Sequence, residues 1–307
     1  MRSYGRRPFL FALAALVTSC DSEPYDVGLD EPIIAQQAEL KQGALPEGSK
    51  DAATIMSLEP NFGVLRPGAV NVSLKGRTTN DAYSVAVRFE DLGSGYWVKS
   101  VGSPDPTLPD ELSFDFTFQA AYDITPGNHT LVAVAFDSKG RAGPTYSIPV
   151  CVVSDLPDNQ NACNPKNEPP PAIISLTWDA DVDLDLVLEG PGGVRYDRSH
   201  RSEFDGDTLL WGLDIDGSSG CLVDGRRREN FVFYELPEEG STFLAYASFF
   251  DACGRSAVRF ELTVYRAKRE AGGRYSLVAE PSVRSEFVRA QQSGGVAAPL
   301  YLSATTF

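Results

Sequence analysis

Short runs that alternate apolar and polar side chains, broken by clusters of Gly, Pro and Asn, constrain this chain of 307 residues more than any other feature. Alternation of period two puts successive side chains on opposite faces of a pleated strand. Phe114, Phe116 and Phe118 fall on one face, with Asp115 and Thr117 on the other. Val258, Phe260, Leu262 and Val264 likewise oppose Arg259, Glu261, Thr263 and Tyr265. Similar runs lie at 70–74, 83–89, 130–136 and 146–152, and again at 173–178, 182–188, 231–236, 242–250 and 274–279. Pro67-Gly68, Leu92-Gly93-Ser94-Gly95, Pro126-Gly127-Asn128 and Ser138-Lys139-Gly140 supply turns between strands. No stretch carries a long helical period. The expected fold class is therefore all-β, with two antiparallel β-sandwich domains in tandem. One covers residues 54–152 and the other 172–307, joined by a linker at 153–171 that closes with Glu168-Pro169-Pro170-Pro171. With 42% hydrophobic residues the chain can fill two cores. Residues 296–307 read as a closing strand or a frayed end.

The N-terminus reads as an export signal. Arg2, Arg6 and Arg7 flank an almost wholly apolar run at 8–17. That run falls short of the ~20 residues a membrane-spanning helix needs, and it has the length of a signal-peptide core. It ends in Val17-Thr18-Ser19-Cys20, which resembles the lipobox of bacterial lipoproteins. The resemblance implies cleavage of a signal peptide at 1–19 and a lipid on the Cys20 thiol, so that the membrane becomes a partner through that lipid. The competing reading is an ordinary secretory signal with Cys20 incidental. Residues 20–53 are polar and acidic, and read as a lipidated tether. The expected location is the cell envelope, on the periplasmic side or the cell surface.

Four cysteines remain after Cys20: Cys151, Cys163, Cys221 and Cys253. An even number in an oxidising compartment reads as two disulfides. Of the three possible pairings, Cys151–Cys163 with Cys221–Cys253 keeps each pair within one segment of the proposed architecture. No Cys-x-x-Cys spacing supports a metal site instead. Loss of residues 1–19 would leave 24 basic against 42 acidic residues, a net charge of −18. Such a chain repels nucleic acid and would attract cations.

The acidic residues concentrate in Trp178-Asp179-Ala180-Asp181-Val182-Asp183-Leu184-Asp185. In an extended strand Asp179, Asp181, Asp183 and Asp185 share one face, ~6–7 Å apart. Val182, Leu184, Leu186 and Leu188 share the other. A further acidic stretch brings Asp205, Asp207, Asp214, Asp216 and Asp224. Grouped carboxylates need a cation, arginines or water to screen them, and hard oxygen donors suit Ca²⁺. Arg195, Arg198 and Arg201 are near enough in sequence to serve instead. No EF-hand spacing is present.

The Asp-x-Asp-Leu-x-Leu strand at 181–186, the turn at 190–193, Arg228-Glu229-Asn230 before Phe231, and Asp251-Ala252-Cys253-Gly254 occur in this order. The arrangement resembles a YfaP-like family of exported bacterial domains over residues 172–268. That resemblance implies a β-sandwich without established activity. By position it makes Asp181, Asp183, Asp216 and Glu229 the metal or polar-contact candidates, and Asp185 stands where histidine is expected. The stretch 127–140 resembles the late strand pair of bacterial immunoglobulin-like domains, which speaks to fold alone.

Catalytic patterns are missing. Only His129 and His200 are available, no Gly-x-Ser-x-Gly elbow accompanies them, and no compact histidine spacing supports a metallohydrolase. Tyr96 and Trp97, after Gly95, read as loop aromatics that could contact a ligand, with a core position for Trp97 as an equal alternative, whereas Trp178 and Trp211 read as core. The functional expectation is a non-catalytic, membrane-anchored binding module for an envelope protein or polysaccharide, stabilised by Ca²⁺. The alternatives are an accessory subunit of an exported enzyme and a carboxylate-based hydrolase of envelope glycans.

Overall fold

A computed structural model describes residues 30–105, 107–217, 219–222 and 226–307. The signal segment at 1–19, Cys20 and Asp224 lie outside the described residues. The fold is all-β, and among the described residues the named strands pair antiparallel, with one isolated parallel bridge between Leu65 and Val152. No helix among the described residues is long and apolar enough to cross a membrane.

In chain order the first unit comprises β1 (Ile33–Ala35), β2 (Glu39–Gln42), β3 (Ile55–Pro60), β4 (Val72–Thr79), β5 (Ala82–Phe89), β6 (Gly95–Ser100), β7 (Pro104–Asp105), β8 (Leu108–Ala120), β9 (Gly127–Asp137) and β10 (Tyr146–Val152). One sheet runs β1-β8-β4-β3, with β7 added to β8; the other runs β10-β9-β5-β6-β2. The period-two pattern sets which faces meet. Phe114, Phe116 and Phe118 on β8 and Leu74 on β4 pack against Val85 and Val87 on β5 and Leu131 on β9, and all are buried. Asp115 points outward, as its position in the alternation requires.

Two expectations need correction here. The tether at 20–53 is not a tether throughout, because β1 pairs with β8 and β2 with β6. Ile33 and Ala35 enter the core, and the buried Glu31 accepts from Ser94 N–H and Oγ at 2.9 and 2.6 Å. Strands of three and four residues carry too little pattern to be read alone; docking onto existing edges is what forms them. Nor do Tyr96 and Trp97 lie in a loop. Both belong to β6 and are buried, and the Trp97 indole N–H donates to Ile33 O at 2.7 Å. Because β1 covers Trp97, this pair offers no ligand surface.

The linker is anchored at both ends. Cys151 and Cys163 form a disulfide, Leu65 N–H donates to Cys151 O, and Asn128 Nδ2 donates to Cys163 O. On the far side Tyr275 N–H donates to Pro165 O at 2.7 Å, and Asn161 Nδ2 donates to Tyr275 O at 3.0 Å.

The second unit comprises β11 (Ala172–Trp178), β12 (Asp183–Glu189), β13 (Arg195–Tyr196), β14 (Ser202–Asp205), β15 (Thr208–Leu213), β16 (Arg228–Phe233), β17 (Thr242–Asp251), β18 (Ala257–Glu270), β19 (Arg274–Ala279), β20 (Val283–Val288) and β21 (Leu300–Thr306). The larger sheet runs β14-β15-β16-β11-β18-β19, with β20 also on β18; the smaller runs β13-β12-β17-β21. Between them Leu184, Leu186 and Leu188 meet Phe231, Phe233, Phe243 and the buried row Val258, Phe260, Leu262 and Val264. Trp178 is buried in this core, and Trp211 packs against its edge. The C-terminal segment closes the smaller sheet as β21.

Candidate metal centre

The leucines of β12 bury one face of that strand, so Asp183 and Asp185 project from the other. That face is covered rather than open to solvent. β13 pairs with β12 only at Leu188 and Glu189, which leaves the outer edge of the first half of β12 without a strand partner among the described residues. Glu229, on β16 of the opposite sheet, fills the gap: its carboxylate accepts from Leu186 N–H at 2.6 Å and from Gly217 N–H. The loop after β15 is held beside it because Asp214 accepts from Asn230 N–H and Nδ2 and from Ile215 N–H. Two residues on, Asp216 meets the β12 aspartates.

Oxygens of Asp183, Asp185 and Asp216 all lie within 4.8 Å of one another. Asp183 accepts from Gly220 N–H at 2.7 Å. The residue after Gly220 is Cys221, whose disulfide to Cys253 spans 32 residues and fixes that turn over β12. Gly220 and Cys221 both have positive φ, 60° and 62°, a conformation that aims the Gly220 N–H at the carboxylate and that glycine adopts without strain. A β-bulge between Asp183 and Leu184 further shifts Asp183 against β17.

Burial and mutual repulsion dominate the electrostatics of these carboxylates, and the charge of Arg198 offsets them only in part. Burial pushes the Asp183 carboxyl up, and the charges of Asp216 and Asp251 add to this against the Gly220 hydrogen bond. Burial, then the charges of Asp183 and Asp216, push Asp185 up to about 7. Glu229 is raised well above its ordinary value, chiefly by burial. Asp216 Oδ1 is buried and has no hydrogen-bond partner among the described residues. Among the described residues no Lys or Arg comes within 4 Å of these four groups. Arg198 stacks on Phe250 at 4.5 Å and acts on Asp183 and Asp185 only from a distance. Arg195 pairs with Asp197, and Arg201 donates to Asp214 O. The cavity framed by Asp185, Asp216, Glu229, Arg198 and Arg201 measures about 10 Å³, near the ~10–15 Å³ that admits one water.

Of the four residues expected at a metal site, Asp183 and Asp216 converge, and Glu229 lines the adjoining cavity. Asp181 does not. Its carboxylate pairs with Arg227 at 2.7 Å and Arg255 at 2.9 Å, and the Arg227 hydrogen bond holds its pKa low. Asp185 takes its place, at the position that departs from the family-like pattern. The arginines that capture Asp181 lie 46 and 74 residues away in sequence, which no local pattern discloses. Neither histidine joins the cluster. His129 is buried between Asp91 and Thr125 O, and His200 is exposed.

No family model matches the chain, and no curated protein matches it. Among solved structures it is similar to the C-terminal domain of the AgI/II polypeptide BspA of Streptococcus agalactiae. The identity is 8% over 73% of this chain and 95% of that chain, with a TM-score of 0.22. A similarity of that size carries no argument about function.

Proposed function

We propose that the chain is a non-catalytic cell-envelope binding module, anchored through Cys20, whose second sandwich is braced by a divalent cation. The observation that carries the cation is the convergence of the buried Asp183 with the half-buried Asp185 and Asp216 beside the buried Glu229, none of them paired with a Lys or Arg within 4 Å among the described residues. Isolated buried carboxylates either take up protons or bind a metal. An all-oxygen donor set without Cys or His suits a hard ion such as Ca²⁺ rather than Zn²⁺. The orphaned Asp216 Oδ1 is the atom such an ion would satisfy. A bound ion would supply a structural crosslink joining the loop at 214–217 to β12 and β16. The envelope location rests on the lipobox-like Val17-Thr18-Ser19-Cys20 and on disulfides that belong to an oxidising space.

Thermal melts of residues 21–307 in EDTA, in CaCl₂ and in MgCl₂ test the cation. A ligand held only by the folded state at a hundredfold excess over its Kd stabilises by ~2.7 kcal/mol. A calcium-specific rise in melting temperature, lost in Asp183→Asn, is expected. Superimposable curves would remove the cation from the reading. The hydrolase reading draws on the same Asp185, since a carboxyl titrating near 7 suits a general acid. The small size of its cavity favours an ion over a glycan.

A further inference from the structure

A larger cleft adjoins the carboxylate cluster, sharing Ile215 with its small cavity. This cleft of about 650 Å³ opens where the two sandwiches and the linker meet. That volume is within the ~300–1,000 Å³ of small-ligand sites, and domain junctions are where such sites concentrate. One wall is the turn Arg66-Pro67-Gly68-Ala69, closed by Ala69 N–H donating to Arg66 O at 3.1 Å. Proline followed by glycine at φ 69° gives the type II arrangement. A Cβ on Gly68 would come within 2.4 Å of the Tyr122 ring, so the bare backbone is what lets that ring seat on the turn. Tyr122 nevertheless stays 55% exposed. It is a supported aromatic platform, not a core residue. Val153 N–H donates to Leu65 O at 2.9 Å, which ties the start of the linker, and Asp155 two residues on, to the same turn. The opposite wall is the start of β16, where Arg228 pairs in register with Thr177 of β11.

The charges in this cleft run against the character of the chain. In a protein of net charge −15, Arg66 and Arg228 line the cleft, and neither forms an ion pair within 4 Å among the described residues. Arg227 is committed to Asp181, and Asp214 to Asn230 and Ile215. Asp123 is exposed. Asp155 keeps an exposed face, and partial desolvation against the cleft pushes its carboxyl up, with the charges of Arg228, Arg226 and Arg66 pulling the other way. Two guanidiniums, Arg66 and Arg228, without a carboxylate partner among the described residues, one carboxyl able to accept a hydroxyl, and a supported ring beside Ala69 and Val70 call for a ligand that is anionic, hydroxylated and ring-shaped. The geometry points to an acidic saccharide of the uronate type, its carboxylate taken by Arg66 and Arg228 and its ring stacked on Tyr122. This assignment rests on the binding-module reading but not on the cation.

Titration calorimetry of residues 21–307 with trigalacturonate, run in EDTA, tests it. Saturable binding is expected, weakened at least 10-fold in Arg66→Gln, Arg228→Gln and Tyr122→Ala, because each removes a charge-assisted hydrogen bond or the stacking face. The methyl-esterified trisaccharide, with the same rings and no charge, is expected to bind at least 10-fold more weakly. Arg66 and Tyr122 are exposed, so variants there keep the wild-type melting temperature, and loss of binding is then not loss of fold. The site is overturned by an absence of heat up to millimolar trigalacturonate, by binding unchanged in Arg66→Gln and Arg228→Gln, or by tripolyphosphate binding as tightly as the saccharide. An envelope polymer captured equally by wild type and Arg66→Gln would keep the binding-module reading while removing this cleft from it.

Discussion

Replacing Asp185 by Asn removes one charge from the carboxylate cluster and leaves its shape nearly unchanged. Burial and the neighbouring Asp183 and Asp216 raise Asp185 from 3.8 to about 7. Each pK unit is worth ~1.4 kcal/mol, so holding Asp185 ionised in the folded protein costs up to about 4 kcal/mol relative to the unfolded chain. Below about pH 4 both states carry the proton and no cost arises. From there to about pH 7 the folded state keeps a proton that the unfolded state has released, and stability falls as pH rises. Above about pH 7 both states are ionised and the whole cost is present. Asn carries none of it. In EDTA at about pH 8, calorimetry or circular dichroism should therefore find Asp185→Asn melting higher than wild type. At ~2–4 °C per kcal/mol for a domain of this size, the full cost corresponds to a rise of roughly 8–16 °C. The difference should vanish near pH 4, and it should reverse in CaCl₂, where wild type gains an ion that the variant has lost a ligand for. A variant that melts at or below wild type in EDTA at about pH 8, or a difference that ignores pH, would refute the account of the cluster.

Asp181→Asn should leave the calcium response intact, since Asp181 engages Arg227 and Arg255 instead, and exposed pairs of this kind are worth ~0–1 kcal/mol. A lost response in the same melts would return Asp181 to the site. Trp97→Ala should destabilise the first domain by ~3–5 kcal/mol through loss of a buried aromatic, while trigalacturonate binding by the folded protein is unaffected. Replacing Cys221 and Cys253 together by Ser should cost about 3–4 kcal/mol for a loop of 32 residues. The same change frees the turn that presents Gly220 to Asp183, so the calcium-induced rise should shrink as well, which a repeat of the melts measures.

Much of the fold is written locally. Period-two alternation in Phe114–Phe118 and Val258–Val264 needs only neighbouring residues to be legible, because a strand's faces follow from its own pleat. The even cysteine count and the grouping of each pair within one segment likewise pointed to the two disulfides. The strands missed were those whose stability is borrowed. β1 and β2 are too short to show a pattern and exist by docking onto β8 and β6. β6 reads as a loop because Gly95-Tyr96-Trp97 buries three successive residues, Trp97 being covered by a segment 64 positions away.

The candidate site divides in the same way. The sequence by itself determined that carboxylates would crowd on one face of the strand containing Asp183 and Asp185, since their spacing of two permits nothing else in an extended chain. Which of them would converge, and with what, was decided by the tertiary structure. Glu229 reaches Leu186 N–H where the outer edge of β12 has no strand partner among the described residues, and Asp216 arrives on a loop held by Asn230. Asp181 departs to arginines that come from distant parts of the chain. Electrostatic partners are fixed by distances through space, and sequence distance does not report those until the two sheets have closed on each other.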